Sequence, residues 1–225
     1  MCFLLDCDMQ FLYDKNAGNE RLIVQNEPFL HLKARRVKVG DRIEVRNLKD
    51  SKKYLYEIES FERRSASLSL VFASLNEKPN YDFKIAWSVI DPKTIEKTLP
   101  YLNELGVGKI IFVYTDFSQA NFKIDIKRFE YICALSCEQC GRDALMEFEI
   151  YDSIDDFSLR YNNVALIHFG GDDISLYKDE LLFIGPEGGF SKREVELFAK
   201  KFGLKTKHIL KSQTAITSVV SKILL

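Results

Sequence analysis

Between residues 182 and 191 the chain reads Leu-Phe-Ile-Gly-Pro-Glu-Gly-Gly-Phe-Ser, an apolar run that ends abruptly in a Gly-Pro turn and a Gly-Gly pair. A short apolar run closed by turn residues is the signature of a buried strand. Ser191-Lys192-Arg193-Glu194 then has the capping-box pattern, in which Ser and Glu each satisfy a backbone N–H of the other. Strand, sharp corner and helix in direct succession constrain the surrounding chain to a mostly parallel sheet covered by helices. The glycines also leave main-chain N–H and C=O groups uncovered, which suits a ligand gripped by backbone. The loop lacks the Gly-Lys-Ser/Thr of a Walker A loop and the spacing of a dinucleotide fingerprint.

The neighbouring sequence continues this pattern. Strands are expected over 83–90, 109–114, 164–169, 181–184 and 208–210. Helices are expected over 93–105, 125–140, from 191 to about 202, and over 214–225, with Gly106, Gly141 and Gly203 just past three of their ends. Pro100 should kink the first of them. Three corners then fall at strand ends: His168-Phe169-Gly170-Gly171, Gly185 to Gly189, and Lys211 to Thr214. Ligands of open α/β sheets sit at that edge, and each corner offers backbone groups suited to an adenine and a ribose.

Residues 11–72 follow another rule. Ile43 and Val45 alternate with Arg42, Glu44 and Arg46; Leu68, Leu70 and Phe72 alternate with Ser67, Ser69 and Val71. Period two argues for half-buried antiparallel strands, with turns at Gly40-Asp41 and 47–51. The expected organisation is a small barrel-like β-domain over 9–72, a polar linker containing Pro79 over 73–80, and an α/β domain over 81–225. Met9 is a plausible chain start of its own, so residues 1–8 are expected to come from an upstream start codon, which an intact mass of the native protein checks.

Composition narrows the function. The 225 residues are 46% hydrophobic with a net charge of −1, which argues against a globally basic nucleic-acid binder. A local patch remains: from His31 to Arg64 there are eleven Lys/Arg against six Asp/Glu. It reads either as a solvated rim or as a surface for RNA phosphates, with Arg35 and Arg36 preferred. No apolar run is long enough to span a bilayer, and the N-terminus lacks the pattern of a signal peptide. Five cysteines without export signals read as reduced cytoplasmic thiols. Cys133 and the Cys137-x-x-Cys140 pair have no second pair to complete a zinc site, so no metal is expected.

Several residues carry open alternatives. Arg142 follows the glycine that closes a helix; it either neutralises that helix end or holds a phosphate or uracil oxygens. Glu187 is either a solvated loop carboxylate or an acceptor or general base in a substrate pocket. His168 is either a satisfied edge residue or a cofactor contact through its backbone.

Ile184-Gly185-Pro186-Glu187-Gly188-Gly189-Phe190-Ser191 with Glu194 resembles the signature of the 16S ribosomal RNA (uracil-N3)-methyltransferase family, called RsmE, of the SPOUT class. Ile209-Leu210-Lys211-Ser212-Gln213-Thr214-Ala215 resembles its next motif, Ile-Leu-Arg-x-Glu-Thr-Ala, with Lys211 for Arg and Gln213 for Glu; Lys205-Thr206 stand where Leu-Gly is usual. Glu104-Leu105-Gly106-Val107, Glu138-Gln139-Cys140-Gly141-Arg142, and His31-Leu32 through Arg35-Arg36 to Gly40-Asp41 resemble further family segments, so the likeness spans 9–225. The resemblance implies a C-terminal trefoil knot that binds S-adenosylmethionine and a PUA-like RNA-binding barrel before it. It implies a homodimer in which the partner completes each active site, acting on N3 of one uridine of 16S rRNA in the assembled 30S subunit. Under it the cofactor contacts are His168, Gly170, Ile184, Gly185, Gly188, Gly189, Ile209, Leu210, Lys211, Thr214 and Ala215. The catalytic candidates are Arg142 and Glu187, and the RNA contacts His31, Arg35, Arg36, Lys38 and Arg142. A non-catalytic ribosome-assembly protein on the same fold, or a methyltransferase with another RNA target, are the alternatives.

Overall fold

The computed structural model describes residues 10–76 and 81–225. The expectation for residues 1–8, and that for the end of the linker, fall outside them. Contacts divide the chain into two compact units. One holds the described residues up to 76 together with Ala134–Leu145, and the other holds Tyr81–Cys133 and Met146–Leu225.

The first unit is built on a five-stranded sheet. Its strands are β1 (Leu12–Tyr13), β2 (Arg21–Gln25), β3 (Arg42–Arg46), β4 (Lys52–Phe61) and β5 (Ser65–Leu75), in the order β1-β3-β4-β5-β2. The period-two reading places the core: Leu22, Val24, Ile43, Val45, Tyr56, Ile58 and Leu68 are all buried on one cluster. It fails at the far end of β5. The pairing with β4 shifts between Leu55 and Tyr56, whose partners are Phe72 and Leu70. A bulge there reverses the in-out phase, so Leu68 is fully buried while Phe72 is 59% exposed. Ala73–Leu75, expected in the linker, continue β5.

A helix that the sequence reading did not anticipate, α1 (Asn26–Ala34), follows β2 and buries Phe29 and Leu32 against the sheet. Two buried positions in nine residues are too few to register as a helical stripe. The segment 134–145 joins this unit through a small core of Phe11, Leu48, Ala134 and Cys137. The Gln10 N–H also donates to the Glu138 carbonyl at 2.9 Å.

The second unit has a six-stranded sheet with every pair parallel: β6 (Lys84–Ser88), β7 (Lys109–Val113), β8 (Glu147–Tyr151), β9 (Val164–Asp173), β10 (Leu181–Ile184) and β11 (Lys200–Gly203), in the order β11-β9-β10-β6-β7-β8. The helices are α2 (Pro92–Glu104), α3 (Ile126–Cys140), α4 (Ile154–Arg160), α5 (Lys192–Leu197) and α6 (Ser212–Leu224), with α3 continuing from this unit into the first. The β6, β7 and β8 strands step outward in one direction and the later strands lie on the other side of β6, so the strand order reverses at β6 and β10. Helix α2 runs through Pro100 without ending.

Two expectations near the C-terminus are corrected. Helix α5 stops at Leu197 instead of reaching 202, and residues 200–203 are strand β11. Phe198 is drawn into the aromatic core with Phe157 and Phe183, and the next residues pair with β9; tertiary contacts override helix propensity here. Residues 208–210 are not a strand: β11 already holds the sheet edge, and Ile209 is 84% exposed.

Candidate active site

The C-terminal ends of β9 and β10 open onto a cavity of about 650 Å³. Pairing with β11 jumps from Leu166 to Asp172, so residues 167–171 arch out of that ladder and wall one side. The arch depends on Gly171, where an added Cβ would lie 2.7 Å from the Phe202 carbonyl carbon. The opposite wall is the corner Ile184 to Phe190, where Gly189 adopts a φ of +72°, a region that favours glycine. The third wall is the segment from Gly203 to Leu210, with Ser212 and Ala215 at the start of α6. The surface presented is mainly backbone and small side chains.

Buried side chains hold these walls in place. Trp87 Nε1–H donates to Ser212 Oγ at 2.8 Å, and Ser212 Oγ–H donates to the Gly185 carbonyl at 2.6 Å. Trp87 is fully buried and Ser212 nearly so, so one hydroxyl ties the central strand, the glycine corner and the last helix together. Phe190 packs on Phe183 of β10 with ring centroids 4.9 Å apart. Ser191 and Glu194 form the expected capping box. The buried Glu194 carboxylate accepts the N–H of Ser191 and that of Asp116, both at 2.8 Å. Ser191 Oγ–H and Arg193 donate to the Asp116 carboxylate, and these two bonds hold its pKa below the usual carboxylate range.

Charge enters at one side of the cavity. Lys205 Nζ lies 2.5 Å from Asp173 Oδ2, and both residues line the wall. The Lys205 ammonium, with the Ser175 backbone N–H, pushes the Asp173 carboxyl well down. His168 Nδ1–H donates to the Phe169 carbonyl at 2.6 Å, which fixes its tautomer because a carbonyl can only accept.

The remaining candidates belong to the first unit. His31 lies in the last turn of α1, and Arg35 caps its C-terminus with its N–H bonded to the His31 carbonyl at 3.0 Å. Arg36 and Lys38 are exposed, Arg36 with a φ of +56°. Arg142 is buried, and its Nε–H donates to the Ala144 carbonyl at 2.8 Å. Glu138, one helical turn earlier, is also buried and accepts the Tyr13 N–H. Burial pushes its carboxyl up to about 7.

A family model described as an RNA methyltransferase domain matches residues 76–224, more than half of the chain. The chain belongs to this RNA methyltransferase family. The ribosomal RNA small subunit methyltransferase E of Helicobacter pylori is 40% identical over 222 residues, covering 95% of this chain and 98% of that protein. The protein of the same name from Aquifex aeolicus is 26% identical over 227 residues, with the same coverage. A crystal structure of ribosomal RNA small subunit methyltransferase E from Neisseria gonorrhoeae bound to S-adenosyl methionine matches with a TM-score of 0.75 at 18% identity, covering 96% of each chain. That likeness is one of fold. The RsmE resemblance drawn from the motifs is thus shown over nearly the whole chain, and the mixed α/β architecture agrees with these methyltransferases.

Within this methyltransferase, His168, Gly170, Ile184, Gly185, Gly188, Gly189, Ile209, Leu210 and Ala215 line the cavity, as does Glu187, which is exposed. Lys211 and Thr214 are not among its walls; Lys211 precedes α6 as its N-cap, and both are exposed. The third corner exists, but as a helix start without a strand before it. Sequence reasoning missed Ser212, which occupies the variable position of its motif, and the pair Asp173–Lys205. The signal for Ser212 was a hydroxyl beside a corner; its buried Trp partner lies 125 residues away and is not legible locally. Among the described residues no group of His, Cys, Asp and Glu is arranged to hold a metal.

Proposed function

We propose that this chain transfers a methyl group from S-adenosylmethionine to N3 of a uridine in 16S ribosomal RNA within the assembled 30S subunit. The observation that carries the reading is the convergence of three walls, the 167–171 arch, the 184–190 corner and the segment from Gly203 to the start of α6, on one cavity in a chain of the RNA methyltransferase family. The cavity fits the cofactor: about 650 Å³ lies within the range of small-molecule sites, of the order of 300–1,000 Å³, and its walls offer main-chain donors and acceptors to an adenine and a ribose. When bound there, S-adenosylmethionine supplies an electrophilic methyl on a sulfonium, so no metal is required.

The protein's work is positioning and proton handling. Attack by N3 forms the N–C bond as the S–C bond breaks, with the N3 proton passing to a base. An in-line displacement of this kind gains most from holding the two partners in line. Gly185, Gly188, Gly189, His168, Gly170, Ile184, Ile209, Leu210 and Ala215 are assigned to the cofactor, and Lys211 and Thr214, which do not line the cavity, are left out of that set. Glu187, exposed on the cavity wall, is assigned to the substrate edge as hydrogen-bond acceptor or base. Arg142 is assigned to the uracil oxygens or a phosphate, where a cation favours the deprotonated base. His31, Arg35, Arg36 and Lys38 are assigned to RNA phosphates. The fold proposed around them is a PUA-like module, a C-terminal trefoil knot and a homodimer whose partner completes each site. The setting is the cytoplasm.

One observation supports a rival. Gln213, where the family motif carries Glu, has its Oε1 buried without a hydrogen-bond partner among the described residues. A non-catalytic assembly protein on this fold would tolerate such a loss. Titration calorimetry with S-adenosylmethionine separates the two: the enzyme binds one cofactor per chain, whereas a chain that takes up none removes the methyltransferase reading.

A further inference from the structure

We propose that Phe117 is the stacking platform for the target base at the rim of the cofactor cavity, an inference that rests on the methyltransferase reading above. A single exposed apolar side chain is ordinary on a protein surface. Three features set this one apart.

The first is position. Phe117 follows β7 at the C-terminal edge of the sheet, the edge where α/β sheets bind ligands. Its ring packs on Gly188, and an added Cβ at Gly188 would press on it at 3.3 Å. Gly188 is a wall of the cavity and Phe117 is not, so the ring stands at the rim, beside the loop that carries Glu187.

The second is exposure. Phe117 is 54% exposed although the aromatic core of the same unit gathers Phe157, Phe183, Phe190 and Phe198. Burial would stabilise the ring by roughly 25 cal/mol per Å² of apolar area, and the turn forgoes that gain.

The third is rigidity. The residue before it, Asp116, is fixed by its N–H to Glu194 at 2.8 Å, by Ser191 Oγ at 2.6 Å and by Arg193 at 3.2 Å. The residue after it is fixed as well: the Ser118 N–H donates to the Thr115 carbonyl at 2.9 Å, and the Thr115 N–H to Ser118 Oγ at 3.2 Å. An apolar ring is therefore held out in water by polar anchors on both sides. Two of those anchors, Ser191 and Glu194, belong to the cap that ends the Gly188–Gly189 corner.

A base must leave its stack before an enzyme can act on a ring atom, and an unstacked RNA base is commonly received on an aromatic face. Phe117 presents that face next to the methyl donor. Stacking leaves the Watson–Crick edge of the base, which includes N3, free to turn toward the cavity.

The test is steady-state methyl transfer to small ribosomal subunits lacking the modification, with wild type, Phe117→Ala, Phe117→Leu and Phe117→Tyr run in parallel. S-adenosylmethionine affinity and oligomeric state are measured on each. Loss of stacking predicts a fall of about 10-fold or more in kcat/KM for Phe117→Ala and Phe117→Leu, with cofactor affinity unchanged. Phe117→Tyr, which keeps the π face, stays within about 3-fold of wild type. Equal activity of wild type and Phe117→Ala overturns the inference alone, as does a loss that Phe117→Leu repairs or that tracks a change in cofactor affinity or oligomeric state. A silent wild type overturns the methyltransferase reading and this inference with it.

Discussion

The two units use polar side chains in opposite ways. In the parallel-sheet unit several polar groups beside the cavity are turned inward and consumed: Ser212, Trp87 and Glu194 are buried, and their hydrogen bonds hold the glycine corner, the cap that ends it and the start of the last helix. What faces the cavity is mainly backbone and small side chains, with Glu187 and the Asp173–Lys205 pair as charged exceptions. In the antiparallel unit Arg36 and Lys38 point into solvent, and the hydrogen bonds that shape their loop are main chain to main chain or to Asp41. A site made of fixed backbone suits one small, shaped cofactor. A surface of exposed cations suits a long polyanion whose phosphates are read by charge. The first kind should break when one anchor is removed, and the second should weaken by degrees.

The sharpest way to break this contrast is Glu194→Ala. It leaves the N–H groups of Ser191 and Asp116 without their acceptor in a buried setting, so unfolding stability should fall by about 3 kcal/mol and cofactor affinity should drop with it. Denaturant unfolding and calorimetry on the variant check both; a stable, tightly binding Glu194→Ala would show that the walls do not depend on their anchors. Ser212→Ala should cost less, about 2 kcal/mol, because one indole N–H and one carbonyl lose a partner. S-adenosylmethionine binding should weaken by about 10-fold, and thermal shift with and without cofactor measures the two effects together.

The antiparallel unit also buries ionisable side chains, among them Arg142 and Glu138. Glu138 has a folded pKa raised by burial to about 7, against 4.5 for the free group. The folded state therefore binds more protons than the unfolded state between those values, and stability falls as pH rises from 4.5 through about 7. Glu138→Gln should remove that slope, a difference on the order of 3 kcal/mol by pH 8. Identical pH profiles of unfolding for wild type and variant would show that Glu138 is not held in its protonated form. The smallest effect on folding belongs to Arg35→Ala with Arg36→Ala, where stability should shift by no more than about 0.5 kcal/mol. RNA affinity should fall with a shallower salt dependence, each lost phosphate contact taking about one unit from the slope. Unchanged RNA binding across a salt titration would remove these residues from the interface.

Local patterns were legible and long-range choices were not. The strand over 181–184 and the Ser191–Glu194 cap are visible in the sequence because each rests on neighbours in the chain. Strand β11 was read as helix because its partner, β9, begins 36 residues earlier, and no local pattern announces that pairing. Phe72 was placed inward because a bulge consumes a residue without marking the sequence. Gly170, Gly185, Gly188 and Gly189 could be named in advance because a corner needs them, whereas Gly203, read as the end of a helix, Ser212 and the Asp173–Lys205 pair acquire their roles only from the fold.

The central claim is that one chain joins a backbone-built cofactor cavity to RNA so that a methyl reaches a single base. Its most direct test is methyl transfer from labelled S-adenosylmethionine to small ribosomal subunits that lack the modification, followed by reverse transcription of the 16S rRNA. Methylation at N3 blocks the Watson–Crick edge, so the account predicts label in the RNA and a single new stop at one uridine. Cofactor uptake without label in the RNA, or label with no stop at a uridine, would contradict it.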